Sequence, residues 1–125
     1  MTNKSSSQLV AIVDDDRSVQ SALKDLMESA GLEARCFGSA EEFLEPDERN
    51  QTGCLVADIR MPGMSGLELQ AKLKAAGSRI PIIFITAHGD AKMKMKAMKA
   101  GAVEFLSKPF DDEVLLQKVR HALNG

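Results

Sequence analysis

Only two cysteines, Cys36 and Cys54, occur among the 125 residues. That is too few for a disulfide framework, and they lack the paired spacing of a metal site. Both lie in or beside apolar runs and read as reduced thiols in a core, the state expected of a cytoplasmic protein. A basic excess is also missing: the formal net charge is −2, which argues against a general nucleic-acid surface. No apolar run approaches the length needed to span a membrane. Met1 to Gln8 is polar and has no apolar core of a secretory leader. No internal repeat, linker or second domain is visible. No glycine-rich phosphate loop follows the first apolar run; aspartates stand there instead. That disfavours a nucleotide- or flavin-binding module unless a cation intervenes. What is present is ordinary for a globular protein: 44% hydrophobic and 27% charged residues, and enough chain for one domain with a real core.

The apolar residues come in two periods. Residues 1–7 are polar and Ser-rich and are expected to form a disordered tail, leaving residues 8–123 as the domain. Leu9–Val13 reads as a buried strand ending in Asp14-Asp15-Asp16. Val19, Ala22, Leu23, Leu26, Met27 and Ala30 then fall on one helical stripe, stopped at Gly31. Glu33–Phe37 alternates like an edge strand. Ser39 to Glu42 has the capping-box pattern of a short helix through Leu44, followed by a polar loop from Pro46 to Thr52. Cys54–Asp58 is a third strand. Ser65 to Glu68 is a second capping box, for a helix expected to bury Leu69, Leu73 and Ala76 before Gly77. Ile80–Ile85 is a fourth strand ending at Thr86, with Pro81 tolerable at its start. Asp90 should cap a helix running to about Ala100 and closed by Gly101. Val103–Leu106 is a fifth strand, ending at Ser107-Lys108-Pro109-Phe110. Asp111 and Asp112 open a last helix in which Leu115, Val119 and Ala122 share a face. Five near-continuous apolar strands alternating with five helices predict an α/β fold, a parallel sheet covered on both faces with right-handed crossovers.

The polar residues that end those strands carry the chemistry. Strand one delivers Asp14, Asp15 and Asp16, strand three Asp58, strand four Thr86 and strand five Lys108. In a parallel sheet all carboxyl ends point the same way, so residues far apart in sequence converge on the edge where open α/β sheets place their sites. Clustered carboxylates repel one another unless a cation joins them, and a few acids beside a phosphate suit Mg²⁺. Thr86 offers a hydroxyl and Lys108 a positive charge to an added oxyanion, and a carboxylate can itself attack phosphorus. Each residue also has a plainer reading. The aspartates could simply cap the first helix, Asp16 being the best placed to do only that; Lys108 could be a solvated loop residue; Thr commonly ends strands. An X-Pro bond is where a cis peptide can occur, and one at Pro109 would fix the turn that carries Lys108.

Taken together, the sequence resembles a response regulator receiver domain of the CheY-like superfamily. The residues that carry the resemblance are Asp14-Asp15, Asp58 in the run Asp58 to Gly66, Thr86-Ala87 and Lys108-Pro109-Phe110. It spans about residues 8–123. Thr86 to Asp90 and Met98 to Phe105 are similar to the FixJ/NarL side of the family, and to FixJ-type receivers most. The resemblance implies a flavodoxin-like doubly wound (βα)5 fold with strand order 2-1-3-4-5. It implies Asp58 as phosphoacceptor; Asp14, Asp15, Asp58 and the backbone carbonyl of Arg60 around Mg²⁺; Thr86 as switch hydroxyl; Lys108 as phosphate-binding cation; and Phe105 as switch aromatic.

A two-component signalling role follows as an expectation. A sensor histidine kinase supplies the phosphoryl group, Thr86 moves toward it, Phe105 rotates inward, and the surface around residues 90–113 changes shape to control homodimerisation. Lys92, Lys94, Lys96 and Lys99 make the fourth helix basic, with Met93, Ala97 and Ala100 as its buried stripe and Met95 and Met98 nearer the rim. That surface reads either as a solvated basic face or as an adaptable partner surface. The acids at Asp111, Asp112 and Glu113 could pair with it across a two-fold axis. DNA is expected as a partner only if an output domain lies outside this sequence. His88 is read as a solvated loop residue that could tune water access; His121 carries no site signal. An Asp-nucleophile phosphatase of the haloacid dehalogenase type would want an acid where Arg60 stands. A single-domain phosphorelay intermediate and an unphosphorylated scaffold are the remaining alternatives.

Overall fold

A computed structural model describes residues 9–45, 52–87 and 90–124. The polar tail, most of the loop after Glu45, and His88 therefore lie outside the described residues. Ten elements alternate: β1 Leu9–Val13, α1 Arg17–Ser29, β2 Ala34–Phe37, α2 Ala40–Phe43, β3 Thr52–Asp58, α3 Gly66–Ala75, β4 Ile82–Thr86, α4 Ala91–Lys99, β5 Glu104–Ser107 and α5 Asp112–Asn124. The five strands form one parallel sheet in the order β2-β1-β3-β4-β5. This is the flavodoxin-like arrangement, in which the winding direction reverses between β1 and β3.

Alternation along the strands sorts the core into two layers. Ala11, Val13, Leu55, Ala57, Phe84 and Phe105 pack with Phe43 of α2, Leu69 and Leu73 of α3 and Ala97 of α4. Val10, Ile12, Cys54, Val56, Ile83 and Ile85 pack with Leu23 and Met27 of α1 and Leu115, Leu116 and Val119 of α5. Both faces of the central strands are thus covered, which is why they read as continuous apolar runs.

The helix starts form as their sequences dictate. Ser65 makes the full capping box with Glu68. Ser39 makes half of one: its hydroxyl accepts from the Glu42 amide, but the Glu42 carboxylate takes the Gly38 amide instead. Asp16 caps α1 by accepting from the Ser18 and Val19 amides, and Asp90 caps α4 through the Met93 amide.

Several boundaries differ from expectation. β3 begins at Thr52, not Cys54, because Thr52 pairs with Leu9 across an irregularity in the ladder. β4 begins at Ile82, β2 at Ala34 and β5 at Glu104. Ala76 is exposed, since it is the C-cap residue of α3 and not part of its buried face. Ala22 is exposed too, at the margin of the α1 stripe. On α4 only Ala97 is fully buried, Met93 and Ala100 are half-buried, and Met95 and Met98 are 63% and 38% exposed.

Candidate phosphoacceptor site

Strand register alone assembles the site. Val13 pairs with Ala57, so the next residues, Asp14 and Asp58, stand side by side at the sheet edge. Asp58 pairs with Ile85, and Thr86 pairs with Ser107, so Thr86 and Lys108 end the next two strands at the same edge. The Lys108 amide donates to the Thr86 carbonyl at 2.8 Å, tying those two loops together, and the Lys108–Pro109 bond is cis.

The three carboxylates of Asp14, Asp15 and Asp58 each offer an oxygen, and these oxygens lie within 4.8 Å of one another. Asp14 is 1% exposed. Its Oδ1 accepts from the Asp16 amide at 2.9 Å, while its Oδ2 is buried with no partner among the described residues. A buried, unpartnered carboxylate oxygen costs free energy, and desolvation raises the Asp14 pKa from its ordinary 3.8 to about 6, with Asp58 and Asp15 adding to the rise and the Lys108 charge opposing it. Asp58 is also raised, first by desolvation; the Arg60 amide, donating to Oδ1 at 3.2 Å, and the Lys108 charge pull the other way. A divalent cation fits this donor set. All donors are hard oxygens, one of them buried and without a hydrogen, and a cation would remove both the repulsion and the orphan.

Asp16, by contrast, is spent on capping α1, as its position suggested. Thr86 is 1% exposed and Phe105 is 5% exposed. The ring of Phe105 therefore already sits inside, paired across the ladder with Phe84, so the inward rotation expected on phosphorylation meets a ring already packed in.

Three residues shape the site without having been read as part of its chemistry. Gly66 opens α3 pressed against β3: a Cβ there would lie 2.4 Å from the Asp58 carbonyl oxygen and 2.9 Å from the Ile59 Cα. Its amide donates to the Ile59 carbonyl at 2.8 Å. Only glycine permits that approach, so the fit of α3 is built around the backbone of Asp58. The hint in the sequence is a glycine at the first position of a helix, where it is otherwise a poor helix former. Glu41 of α2 reaches across to accept from the Met64 amide at 3.2 Å, bracing the loop after Asp58 where Gly63 adopts a φ of 77°. Gln20 of α1 donates to the Asp14 carbonyl at 2.6 Å. Neither Glu41 nor Gln20 has a sequence signature, because each contact depends on tertiary placement.

The sequence profile of the response regulator receiver domain matches residues 10–120. The chain belongs to the response regulator receiver family. This receiver is 52% identical over 115 residues to the response regulator protein TodT of Pseudomonas putida, covering 92% of this chain and 51% of TodT. It is 45% identical over 114 residues to the transcriptional regulatory protein FixJ of Azorhizobium caulinodans, covering 91% of this chain and 54% of that one. The crystal structure of FixJ-N superposes with a TM-score of 0.85 at 42% identity, covering 99% of this chain and 96% of the other. The receiver thus spans about half the length of the curated relatives it matches. It is a signalling domain of the two-component type, and no helix among the described residues is long and apolar enough to cross a membrane.

Proposed function

We propose that Asp58 of this receiver accepts a phosphoryl group from the phosphohistidine of a sensor histidine kinase, in the cytoplasm, and that the domain spanning residues 8–123 catalyses only this transfer and the later hydrolysis of the Asp58 acyl phosphate to inorganic phosphate. The observation that supports this most is the convergence of Asp14, Asp15, Asp58, Thr86 and Lys108 on one sheet edge, with a buried carboxylate oxygen unpartnered among the described residues.

In the transfer, a carboxylate oxygen of Asp58 attacks phosphorus, the phosphorus–nitrogen bond breaks, and the imidazole leaves with the electron pair and takes a proton. Asp58 must be ionised to attack, and the Lys108 charge and the Arg60 amide favour that state against desolvation. Lys108 then pairs with a phosphoryl oxygen and the Thr86 hydroxyl donates to another. Mg²⁺, held by Asp14, Asp15, Asp58 and the Arg60 carbonyl, would supply the charge that offsets the phosphoryl oxygens. An apolar depression of about 480 Å³ lies beside Lys108, lined by Val19, Ala22, Leu26, Pro109 and Phe110 among others, and offers a kinase domain a surface next to the acceptor.

Phosphorylation shifts a population between two packings. Thr86 is drawn to the phosphoryl group, and the buried ring of Phe105 fills the space behind it. The surface of α4 and β5 then favours a homodimer, and a DNA-binding output domain, of the kind a transcriptional regulatory protein needs, would be the reader. A single-domain phosphorelay role uses the same chemistry without that output.

Intact mass after incubation with Mg²⁺ and acetyl phosphate tests the acceptor. The wild type should gain one phosphoryl group and Asp58→Asn none; equal addition to both would place the acceptor elsewhere, and addition to neither would leave the acidic edge as a scaffold.

A further inference from the structure

Gln20 stands on α1 one turn beyond the capping residue Asp16, outside the acidic cluster. Its Nε2 donates to the Asp14 carbonyl at 2.6 Å. That carbonyl belongs to the peptide joining Asp14 to Asp15, the two adjacent acids of the cluster. The same short segment is pinned twice more: the Asp14 amide donates to the Phe37 carbonyl at 3.1 Å, and Asp14 Oδ1 takes the Asp16 amide. Between them these three bonds fix the position of the Asp14 backbone, the plane of the following peptide and one of the two carboxylate oxygens. The oxygen left over is Oδ2, buried and unpartnered among the described residues. Gln20 is itself tied down, since its own carbonyl accepts from the Cys36 thiol and its side chain lies along Gly38.

We infer that Gln20 is a positioning residue for the cation site: by holding the peptide between Asp14 and Asp15 it aims both carboxylates at a shared Mg²⁺. Groups behind a metal's ligands typically change affinity by about 10- to 100-fold when removed. The bond here is to the ligand's backbone and not to its carboxylate, so the low end of that range is expected. The inference rests on the proposed Mg²⁺ reading.

The test is Mg²⁺ titration of the folded, unphosphorylated receiver followed by amide NMR shifts. Gln20→Met keeps the length and removes the donor; Gln20→Asn keeps the amide but falls short of the carbonyl, and serves if the first variant folds poorly. Gln117→Met, on the exposed side of α5, is the control. Both Gln20 variants should bind Mg²⁺ about tenfold more weakly than wild type, with Gln117→Met unchanged. In the metal-free protein the Asp14 carbonyl-carbon shift should move in the direction of a lost hydrogen bond. A Gln20 variant that is folded and binds Mg²⁺ within twofold of wild type would overturn the positioning role and leave the Mg²⁺ reading standing. Failure of the wild type itself to bind Mg²⁺ would overturn the reading, and the inference with it.

Discussion

On one face of the sheet, α1 and α5 bury Leu23, Met27, Leu115, Leu116 and Val119 against Val10, Ile12, Val56, Ile83 and Ile85. On the other face, α4 buries Ala97 alone and leaves Met95 and Met98 in solvent. Four of the five phenylalanines, Phe37, Phe43, Phe84 and Phe105, also lie on this second face. The first face has large aliphatic side chains on both helices and the contacts of a stable core. The second holds its outermost helix by one small residue, a half-buried Met93, and a buried hydrogen bond from Gln70 of α3 to the Ala97 carbonyl at 3.0 Å. Elements with few buried apolar contacts move at the lowest free-energy cost. The sheet edge that carries Asp58 is therefore backed by firmly packed α1 and α5 on one side and by a loosely held α4 on the other, and a charge added at the edge is expected to be expressed through α4.

The largest effect expected from this contrast is in the firmly packed layer. Leu115→Ala should lose about 2–5 kcal/mol of stability in chemical denaturation, with phosphoryl uptake by the folded fraction intact. A loss under 1 kcal/mol would show that this face is no firmer than the other.

At the edge between the layers the sign of the effect reverses. In the metal-free protein Asp14 has its pKa raised to about 6, so the folded state binds a proton more tightly than the unfolded chain. Stability then falls as pH rises from about 4 to about 6, by up to about 3 kcal/mol if the whole shift is expressed. Asp14→Asn should flatten that slope and stabilise the metal-free protein at pH 7.5, by about 1–3 kcal/mol, while abolishing Mg²⁺ binding. Denaturation across pH with a chelator present checks it; an unchanged slope would mean Asp14 is ionised at no cost.

At α4 the stability cost is smaller and the signalling effect larger. Gln70→Leu removes the bond to Ala97, whose carbonyl keeps the Ala102 amide, so the cost should be about 1 kcal/mol. The expected consequence is that phosphorylation still occurs but shifts dimerisation less, as read by sedimentation. The smallest effect concerns the rim. If Lys92, Lys94, Lys96 and Lys99 meet the acids at 111–113 of a second copy, raising salt from 50 to 500 mM (about a threefold drop in screening length) should weaken the phosphorylated dimer severalfold. An indifferent dimer would assign the contact to Met95 and Met98.

Much of this could be read without coordinates, for one reason. In a parallel sheet a central strand is a buried apolar run whose end is marked by its first polar residue, so Asp14, Asp58 and Thr86 stand out, and Lys108 follows one residue beyond the polar end of β5; the shared direction of the strands brings them to one edge. What the sequence could not show depends on tertiary approach. Gly66 looked like part of a capping box; the reason it must be glycine is the backbone of Asp58 beneath it. Gln20, Glu41 and Gln70 are polar residues on helices, and nothing in their spacing says that each donates to or accepts from a distant backbone. Thr52 reads as the end of the polar loop in the sequence, yet pairing with Leu9 draws it into β3.

The most direct measurement is amide NMR of the wild type with Mg²⁺ and fluoroberyllate, a phosphoryl mimic, beside Asp58→Asn. Fluoroberyllate added to the Mg²⁺-loaded protein should shift amides in the wild type alone, concentrated at Thr86, through α4 and along β5, with Leu23, Met27, Leu115 and Val119 nearly still. Shifts spread equally over both faces, or absent from α4, would contradict this account.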